Sequence, residues 1–508
     1  MEDLEYMISS ILHNRFHLPS LYPYQELVIR TILEKGGLSG EQTADLAHKE
    51  QIVVLPTGSG KSVCFMLPAL LLPGITIVIY PLLSLMNDQE RRMAEIGAEA
   101  IILRGGQTNQ EREVLWYRLE NDTVKFIITN PETIKSPSVI NRLKKLEISL
   151  MVIDEVHTVT QWGDVFRPAY LELGKLLKTL DPPQITAFTA TASPRIISRI
   201  SKILFSGRIA HIVKGDPDRP NISYRVLPSL CKIHELQMLV SYSIQLPAVV
   251  FCSSRKRCET YAWKLKERLA TLPVRYYHAG LDKKERAATE RWFFHAEHAL
   301  LVSTSAYGMG VDKKNIRTVI HLDLSSDVES FLQESGRAGR DGNPAYSIVL
   351  VGREDSDRAK VLGNEAPYTN LLHLFEQHEV CRRKALLELM GFQNDSCSGC
   401  DVCNRKVVPA ADGEEEIGRL CTRFPLRFTI ESYSHLLKGS RSLRSCPSID
   451  RQNPYFGILG TWEIEDITVA IQSMINTGRI NVCKAVLFKG KLYTSGKSFS
   501  HLRRNPKV

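Results

Sequence analysis

Short apolar runs recur along most of the chain, and stretches with helical spacing separate them. The first series is Ile52–Leu55, Ile75–Tyr80, Phe126–Thr129, Leu150–Ile153 and Ile185–Phe188. A strand that is apolar at every position is buried on both faces, which marks a parallel sheet covered by helices on either side. A second series follows: Ala248–Cys252, Val274–His278, Leu300–Ser303, Thr318–Leu322 and Tyr346–Val351. Between them, Lys214-Gly-Asp-Pro-Asp-Arg-Pro-Asn221 is rich in turn formers and reads as a linker. The pattern predicts an α/β chain with two parallel-sheet units in tandem. Residues 1–50 read as mostly helical, broken by Pro19, Pro23 and the segment Gly36 to Gly40. Residues 365–403 also read as helical, and Val407 to Glu416 as a further linker. At the end the pattern predicts helices at Arg423–Leu437 and Ile464–Ile475. A hairpin follows, Ile480–Phe488 and Lys491–Ser495, around a two-residue turn at Lys489-Gly490. Helices followed by a hairpin suggest a winged-helix-like end.

Length and charge add bounds. A chain of 508 residues holds roughly three domains of about 150 residues. No apolar run approaches the roughly 20 residues of a membrane span. Met1 to Ser10 carries acidic residues and no basic stretch of the secretory kind. A soluble, intracellular protein without membrane partners is the expectation. The net charge is +9, and from Asn404 to Val508 17 Lys+Arg face 9 Asp+Glu. A basic end suits a polyanion, although a solvated surface looks the same by charge alone. Of 11 cysteines, four are clustered at 381, 397, 400 and 403. In a reducing compartment a disulfide framework is not expected.

The first apolar run leads into Pro56-Thr57-Gly58-Ser59-Gly60-Lys61-Ser62 and then a helix-like segment, Val63 to Leu72. Glycines let backbone N–H groups close on a phosphate, and the helix N-terminus adds favourable dipole. Lys61 reaches the terminal phosphates, and the Ser62 hydroxyl ligates magnesium. Thr57, Gly58, Ser59, Gly60, Lys61 and Ser62 are therefore candidate nucleotide ligands. Leu55 stands where the general pattern has its first glycine, a departure that helicase-type loops accept. Another apolar strand delivers Asp154-Glu155-Val156-His157. An isolated acidic pair is more often a solvated turn. Beside a phosphate loop, Asp154 can hold magnesium and Glu155 can orient or deprotonate the attacking water. The spacing Cys381-x15-Cys397-x2-Cys400-x2-Cys403 suits a structural four-cysteine zinc site, with iron–sulfur as the alternative. Arg382, Arg383 and Lys384 beside it read as an exposed basic face or a helix near DNA.

In this order the motifs resemble those of superfamily 2 helicases, and more narrowly the RecQ family of DNA helicases, over roughly residues 10 to 403. Gln25 resembles the family's adenine-reading glutamine. Tyr80 to Gln89 resembles a motif that touches DNA, and Thr189-Ala-Thr-Ala192 one that couples ATP to DNA. Thr129 to Glu132 belongs to the same series, as do Phe251 to Arg257, Tyr277 to Leu281, Ser303 to Asp312 and Gln333 to Gly342. Gln161 to Pro168 resembles the family's aromatic-rich loop. There Trp162 and Phe166, with Arg167, are expected to meet unpaired bases by stacking, although two core aromatics look the same in isolation. Arg337 and Arg340 lie in a Gly-rich turn suited to reach across a cleft. The expectation is Arg340 as the arginine finger and Arg337 as phosphate sensor, or the reverse.

The resemblance implies two RecA-like domains, 1–207 and 208–360, a helical zinc subdomain at 361–406 and a winged-helix-like domain at 417–508. Phe488 and Lys489 would stand at the wing's tip against DNA. ATP and magnesium would lie between the sheet domains, with Tyr22, Gln25 and Asp312 as further nucleotide contacts. The implied activity is ATP-dependent unwinding of forked or duplex DNA with 3′ to 5′ movement on a single strand, by a monomer, in repair or recombination. An RNA-directed or duplex-tracking ATPase and a non-catalytic DNA-binding protein are the alternatives. The chain departs from the family at Leu18 and Tyr22, where it usually has an aromatic and an arginine flanking adenine. Val156 replaces the commoner alanine, and residues near 36–50 look like an insertion. No further helical DNA-binding domain is recognisable after the wing, so DNA preference is expected to come from the wing and zinc regions.

Overall fold

The computed structural model describes residues 2–38, 49–56, 59–81, 83–121, 123–158, 169, 171–308, 313–393, 396–404, 410–440, 453–485 and 488–494. The chain forms two compact units. The first is built on residues up to Arg219 and takes in the short Leu386–Asn394 stretch; the second runs from Pro220 through the C-terminal region.

Seven parallel strands organise the first unit: β1 (Glu50–Val54), β2 (Ile75–Ile79), β3 (Ala100–Leu103), β4 (Phe126–Thr129), β5 (Ile148–Ile153), β6 (Ile185–Thr189) and β7 (His211–Lys214). Their order is β3-β4-β2-β5-β6-β1-β7. Alternate residues feed two cores. Ile77, Ile79, Met151 and Ile153 pack on one face. Val78, Leu150, Val152 and Phe188 pack on the other. Both faces are buried, as the unbroken apolar runs require. β3 and β7, the two edges of the sheet, are not among the runs expected from the sequence. β7 is half-exposed and mixed in character, whereas β3 is a short run, Ala-Ile-Ile-Leu, as apolar as the central strands. β7 pairs with β1, Gln51 opposite His211, and so carries the first unit past residue 207.

Six parallel strands organise the second: β8 (Ile222–Pro228), β9 (Ala248–Phe251), β10 (Val274–Tyr277), β11 (Leu300–Ser303), β12 (Thr318–His321) and β13 (Ala345–Val351). Their order is β10-β11-β9-β12-β13-β8. β8 is the edge strand that the pattern does not predict, and its burial alternates along its length.

The C-terminal region belongs to this second unit. It contains helices Glu414–Arg423, Ile430–Lys438 and Ile464–Asn476 and an antiparallel pair, β14 (Ile480–Val482) with β15 (Leu492–Thr494). Two expectations are corrected. The helix expected over Arg423–Leu437 is broken, because Pro425 cannot continue it and Leu426 takes a left-handed φ of 57°. Thr429 then caps the next helix by accepting from Ser432 N–H at 3.4 Å. The hairpin does not turn in two residues. Its strands are three residues long, and Gly490 N–H donates to Cys483 O at 2.9 Å to close a longer loop that contains Phe488 and Lys489. Tyr433, Trp462 and Ile471 share one core with Ile233, Leu236 and Val250 of the sheet domain. Among the described residues no helix is long and apolar enough to cross a membrane.

Candidate nucleotide and metal sites

In an open parallel sheet, ligands bind beyond the carboxyl ends of the strands. At that end of β1, Leu55 N–H still donates to Thr189 O at 2.9 Å. The chain then turns into the helix Lys61–Leu71. Thr57 and Gly58 lie outside the described residues. Gly60 has a φ of +77°, and an added Cβ would come 2.4 Å from Gln25 Nε2, so only glycine fits. The helix starts with no side-chain cap. Its first N–H groups and positive dipole end are left for an anion. The Lys61 Nζ is buried and donates no hydrogen bond among the described residues, facing Glu155 Oε1 at 3.6 Å. A buried cation with unused donors is unfavourable until an acceptor arrives, and a phosphate supplies several.

Gln25 braces the loop. Its Nε2 donates to Ser59 O at 2.9 Å, and its Oε1 accepts from Tyr22 N–H at 2.9 Å. Tyr24 OH donates to the same Ser59 carbonyl at 3.2 Å. Tyr22 stacks on Tyr24 with centroids 5.4 Å apart and remains 61% exposed, an open aromatic face. Leu18 packs against the core.

β5 delivers the carboxylates. Asp154 N–H donates to Ile79 O at 3.0 Å, and Asp154 Oδ1 accepts from Glu155 N–H at 2.8 Å. Burial first, and the Glu155 charge second, push Asp154 up to about 6, with Lys61 pulling the other way. Glu155 takes a left-handed φ of 50° without being glycine. Such a conformation costs of order 1 kcal/mol and collects at functional sites. It turns the carboxylate towards Lys61 and towards His157, whose Nδ1 is 3.3 Å from Glu155 Oε2 and 3.0 Å from Thr189 Oγ1. The line Lys61, Glu155, His157, Thr189 thus joins the ends of β1, β5 and β6. Tyr80, at the end of β2, is fully buried beside Asp154; burial and then that carboxylate raise its phenol well above the usual range. Ser62 Oγ donates to Gln89 Oε1 at 3.2 Å. The brace from Tyr24 and the approach of Tyr80 to Asp154 escape sequence reasoning, because neither contact leaves a spacing in the sequence. Oxygen donors at Ser62 and Asp154 suit a hard divalent cation, whose charge would favour the ionised carboxylate that burial disfavours.

In the second unit, the turn after helix Val328–Ser335 holds Arg337, buried, and Arg340, half-buried. Both guanidiniums act on the buried Tyr307, whose phenol is raised by burial and pulled back by them. Asn221 Nδ2 fixes this turn, donating to Gly339 O at 2.9 Å and Asn343 O at 2.8 Å. Asp312, Trp162, Phe166 and Arg167 lie outside the described residues.

The four cysteines converge. Their sulfurs all lie within 4.8 Å of one another, with Cys381 and Cys400 at 3.9 Å. Thiolates bonded at about 2.3 Å around one tetrahedral zinc sit about 3.8 Å apart, so this set fits a single ion. The cluster is tied to β8: Tyr224 N–H donates to Gly399 O at 3.3 Å, and Asp401 Oδ2 accepts from Val226 N–H at 2.9 Å. The basic face expected at Arg382 and Arg383 is not there. Both are 1% exposed. Arg382 donates to Leu374 O at 2.7 Å and to Gln377 O, and pairs with Asp401 at 3.3 Å. Arg383 donates to Ile222 O and lies 5.1 Å from the Tyr224 ring. The Asp401 carboxylate, backbone carbonyls and a ring face, not solvent, receive these guanidiniums.

A family model described as DEAD/DEAH box helicase matches residues 22–200, and one described as helicase conserved C-terminal domain matches residues 231–342. The chain is 33% identical over 453 residues to the ATP-dependent DNA helicase RecQ of Pasteurella multocida (strain Pm70), across 86% of this chain and 71% of that one. Among solved structures, the DEAD-box helicase Mss116 bound to ssRNA and UDP-BeF superposes with a TM-score of 0.56 at 17% identity, covering 92% of this chain and 89% of that one. The DUF1998 helicase MrfA bound to DNA superposes at 0.54 and 18% identity, covering 97% and 63%. At such identities these two share the fold. One holds RNA and the other DNA, so the fold does not choose the track.

Proposed function

The chain belongs to the RecQ family of DNA helicases, and from that premise we propose how its residues carry out the family's ATP-dependent DNA unwinding. It is an ATP-hydrolysing DNA helicase. The observation that carries the residue assignment is the buried Lys61 ammonium at an uncapped helix start, facing Glu155. The ATP phosphates lie on that helix end and take hydrogen bonds from Lys61. Ser62 and Asp154 hold magnesium, which supplies charge neutralisation to the phosphates. Glu155 positions and deprotonates the attacking water, and His157 and Thr189 hold the Glu155 carboxylate in place. Adenine stacks on Tyr22, and Gln25 reports its presence to the loop through Ser59. Thr57, Gly58, Ser59 and Gly60 supply the backbone around the phosphates, and Asp312 is a further nucleotide contact. Arg340 supplies transition-state charge and Arg337 senses phosphate, or the reverse.

The DNA contacts are Trp162, Phe166 and Arg167, with Phe488 and Lys489 on the winged-helix-like hairpin. Zinc holds Cys381, Cys397, Cys400 and Cys403 together against β8 as a structural ion. The protein works as a monomer inside the cell, wherever the DNA is, moving 3′ to 5′ on a single strand in repair or recombination. Strand displacement tests this on 3′-tailed DNA, 5′-tailed DNA and a 3′-tailed RNA duplex, with and without ATP. Displacement of the 3′-tailed DNA alone, only with ATP, is expected. Preference for the 5′ tail overturns the polarity, and preference for RNA overturns the track.

A further inference from the structure

The Ser62 hydroxyl has a partner that the chemistry above leaves unused. It donates to Gln89 Oε1 at 3.2 Å, and Gln89 is 7% exposed on the helix Leu83–Glu95. Met86 and Met93, at helical spacing on either side of Gln89, are fully buried. Gln89 is thus a polar residue in an apolar stripe, where a side chain without an amide packs at lower desolvation cost. The neighbouring Asp88 pairs with Arg91 at 2.5 Å and Arg92 at 3.3 Å, which ties the outer side of the helix.

A serine hydroxyl has one hydrogen and two lone pairs, and its hydrogen rotates. To ligate a cation it must present a lone pair and send the hydrogen elsewhere. We propose that Gln89 is a positioning residue for the metal: it takes the Ser62 hydrogen and so fixes the lone pairs for magnesium of the bound nucleotide. The proposal rests on the reading of Ser62 as a metal ligand. Groups that orient a ligand from behind typically carry about tenfold or more in metal affinity.

The test is the magnesium dependence of nucleotide binding, read with a fluorescent ATP analogue on the full chain. Wild type, Ser62→Ala, Gln89→Met, Gln89→Glu and the Ser62→Ala/Gln89→Met pair are compared, with binding in chelator as the check that each is folded. Gln89→Met keeps the apolar stripe filled and is expected to raise the half-saturating magnesium concentration about tenfold. Gln89→Glu restores an acceptor and is expected to stay nearer wild type. The double variant is expected to be no worse than Ser62→Ala, since both act through one hydroxyl. Unchanged magnesium dependence in Gln89→Met, or a full additional shift in the double variant, overturns the proposal while leaving Ser62 as ligand. Unchanged dependence in Ser62→Ala overturns the ligand reading itself, and the proposal with it. A Gln89→Met chain that binds no nucleotide in chelator while Gln89→Glu binds normally also overturns it, because the residue then serves the fold.

Discussion

Each sheet ends a strand in a turn that opens onto a helix, and the two ends are completed differently. After β9, Ser254 caps its helix by accepting from Arg257 N–H at 3.3 Å. Asp323 accepts from Ser253 N–H at 2.8 Å, from Ser253 Oγ at 2.8 Å and from Arg257 Nε at 2.9 Å. The donors there are answered by the chain itself. After β1 they are not. The helix start carries no side-chain cap, and Lys61 donates no hydrogen bond among the described residues. Asp154 is pushed up to about 6 by burial and by the neighbouring Glu155 charge, against the pull of Lys61. A self-completed end stabilises the fold, and an incomplete end is a place for a charged ligand.

The sharpest break between the two ends is a pair of variants. Glu155→Gln is expected to lower ATP turnover by about 10²–10⁴ while nucleotide binding persists, as for loss of a general base. Stability should hardly move. Asp323→Ala does the opposite. It removes the acceptor of the Ser253 N–H and of Arg257, which keeps only its longer ion pair with Glu354, and is expected to cost about 1–3 kcal/mol in denaturant unfolding. Turnover per folded molecule should change far less than in Glu155→Gln. Equal losses of stability in both variants remove the contrast.

The four-cysteine cluster is a second self-completed feature once its ion is bound. Cys400→Ser, or strong chelation, is expected to lower the melting temperature by several degrees, by an effect of about 1–3 kcal/mol on β8 and its neighbours. Bound zinc near one per chain should fall in parallel. A metal-free chain with unchanged melting shows the cluster to be dispensable.

The smallest effect is the pH dependence of Asp154. The folded protein holds it at about 6 against an ordinary 3.8. Between those values the folded state binds the extra proton and the unfolded state does not. Stability of the nucleotide-free protein from this group therefore falls as pH rises through that window and stays lower above it, by of order 1 kcal/mol. Asp154→Asn removes the slope. Turnover needs the ionised carboxylate, so its acid limb should lie near this value at limiting magnesium and move lower as magnesium rises. A limb that ignores magnesium separates Asp154 from the metal.

Much of this is legible in the chain. The runs of both series are strands, and most of them are buried on both faces, which an apolar composition cannot hide; β10, with Arg275 and Tyr276 exposed, is the exception. β7 and β8 escape the pattern as edge strands whose burial is broken, and β3 escapes it although its four residues are apolar. The helix break at Pro425 escapes it because apolar spacing continues through the proline. Lys61, Asp154, Glu155 and the cysteines announce themselves by spacing and chemistry. Arg382 and Arg383 mislead, since nothing in a pair of arginines reveals that carbonyls of Leu374 and Ile222 await them. The Gln25 brace on Ser59 and the Ser62–Gln89 bond join residues far apart in sequence, and only the fold brings them together.

The central claim is that the incomplete end beyond β1 holds the ATP whose hydrolysis drives unwinding. DNA-stimulated ATP turnover and displacement of a tailed duplex, measured side by side on wild type and Lys61→Ala, test it most directly. The account predicts that both activities fall together by at least about a hundredfold. Normal hydrolysis or normal unwinding in Lys61→Ala contradicts it.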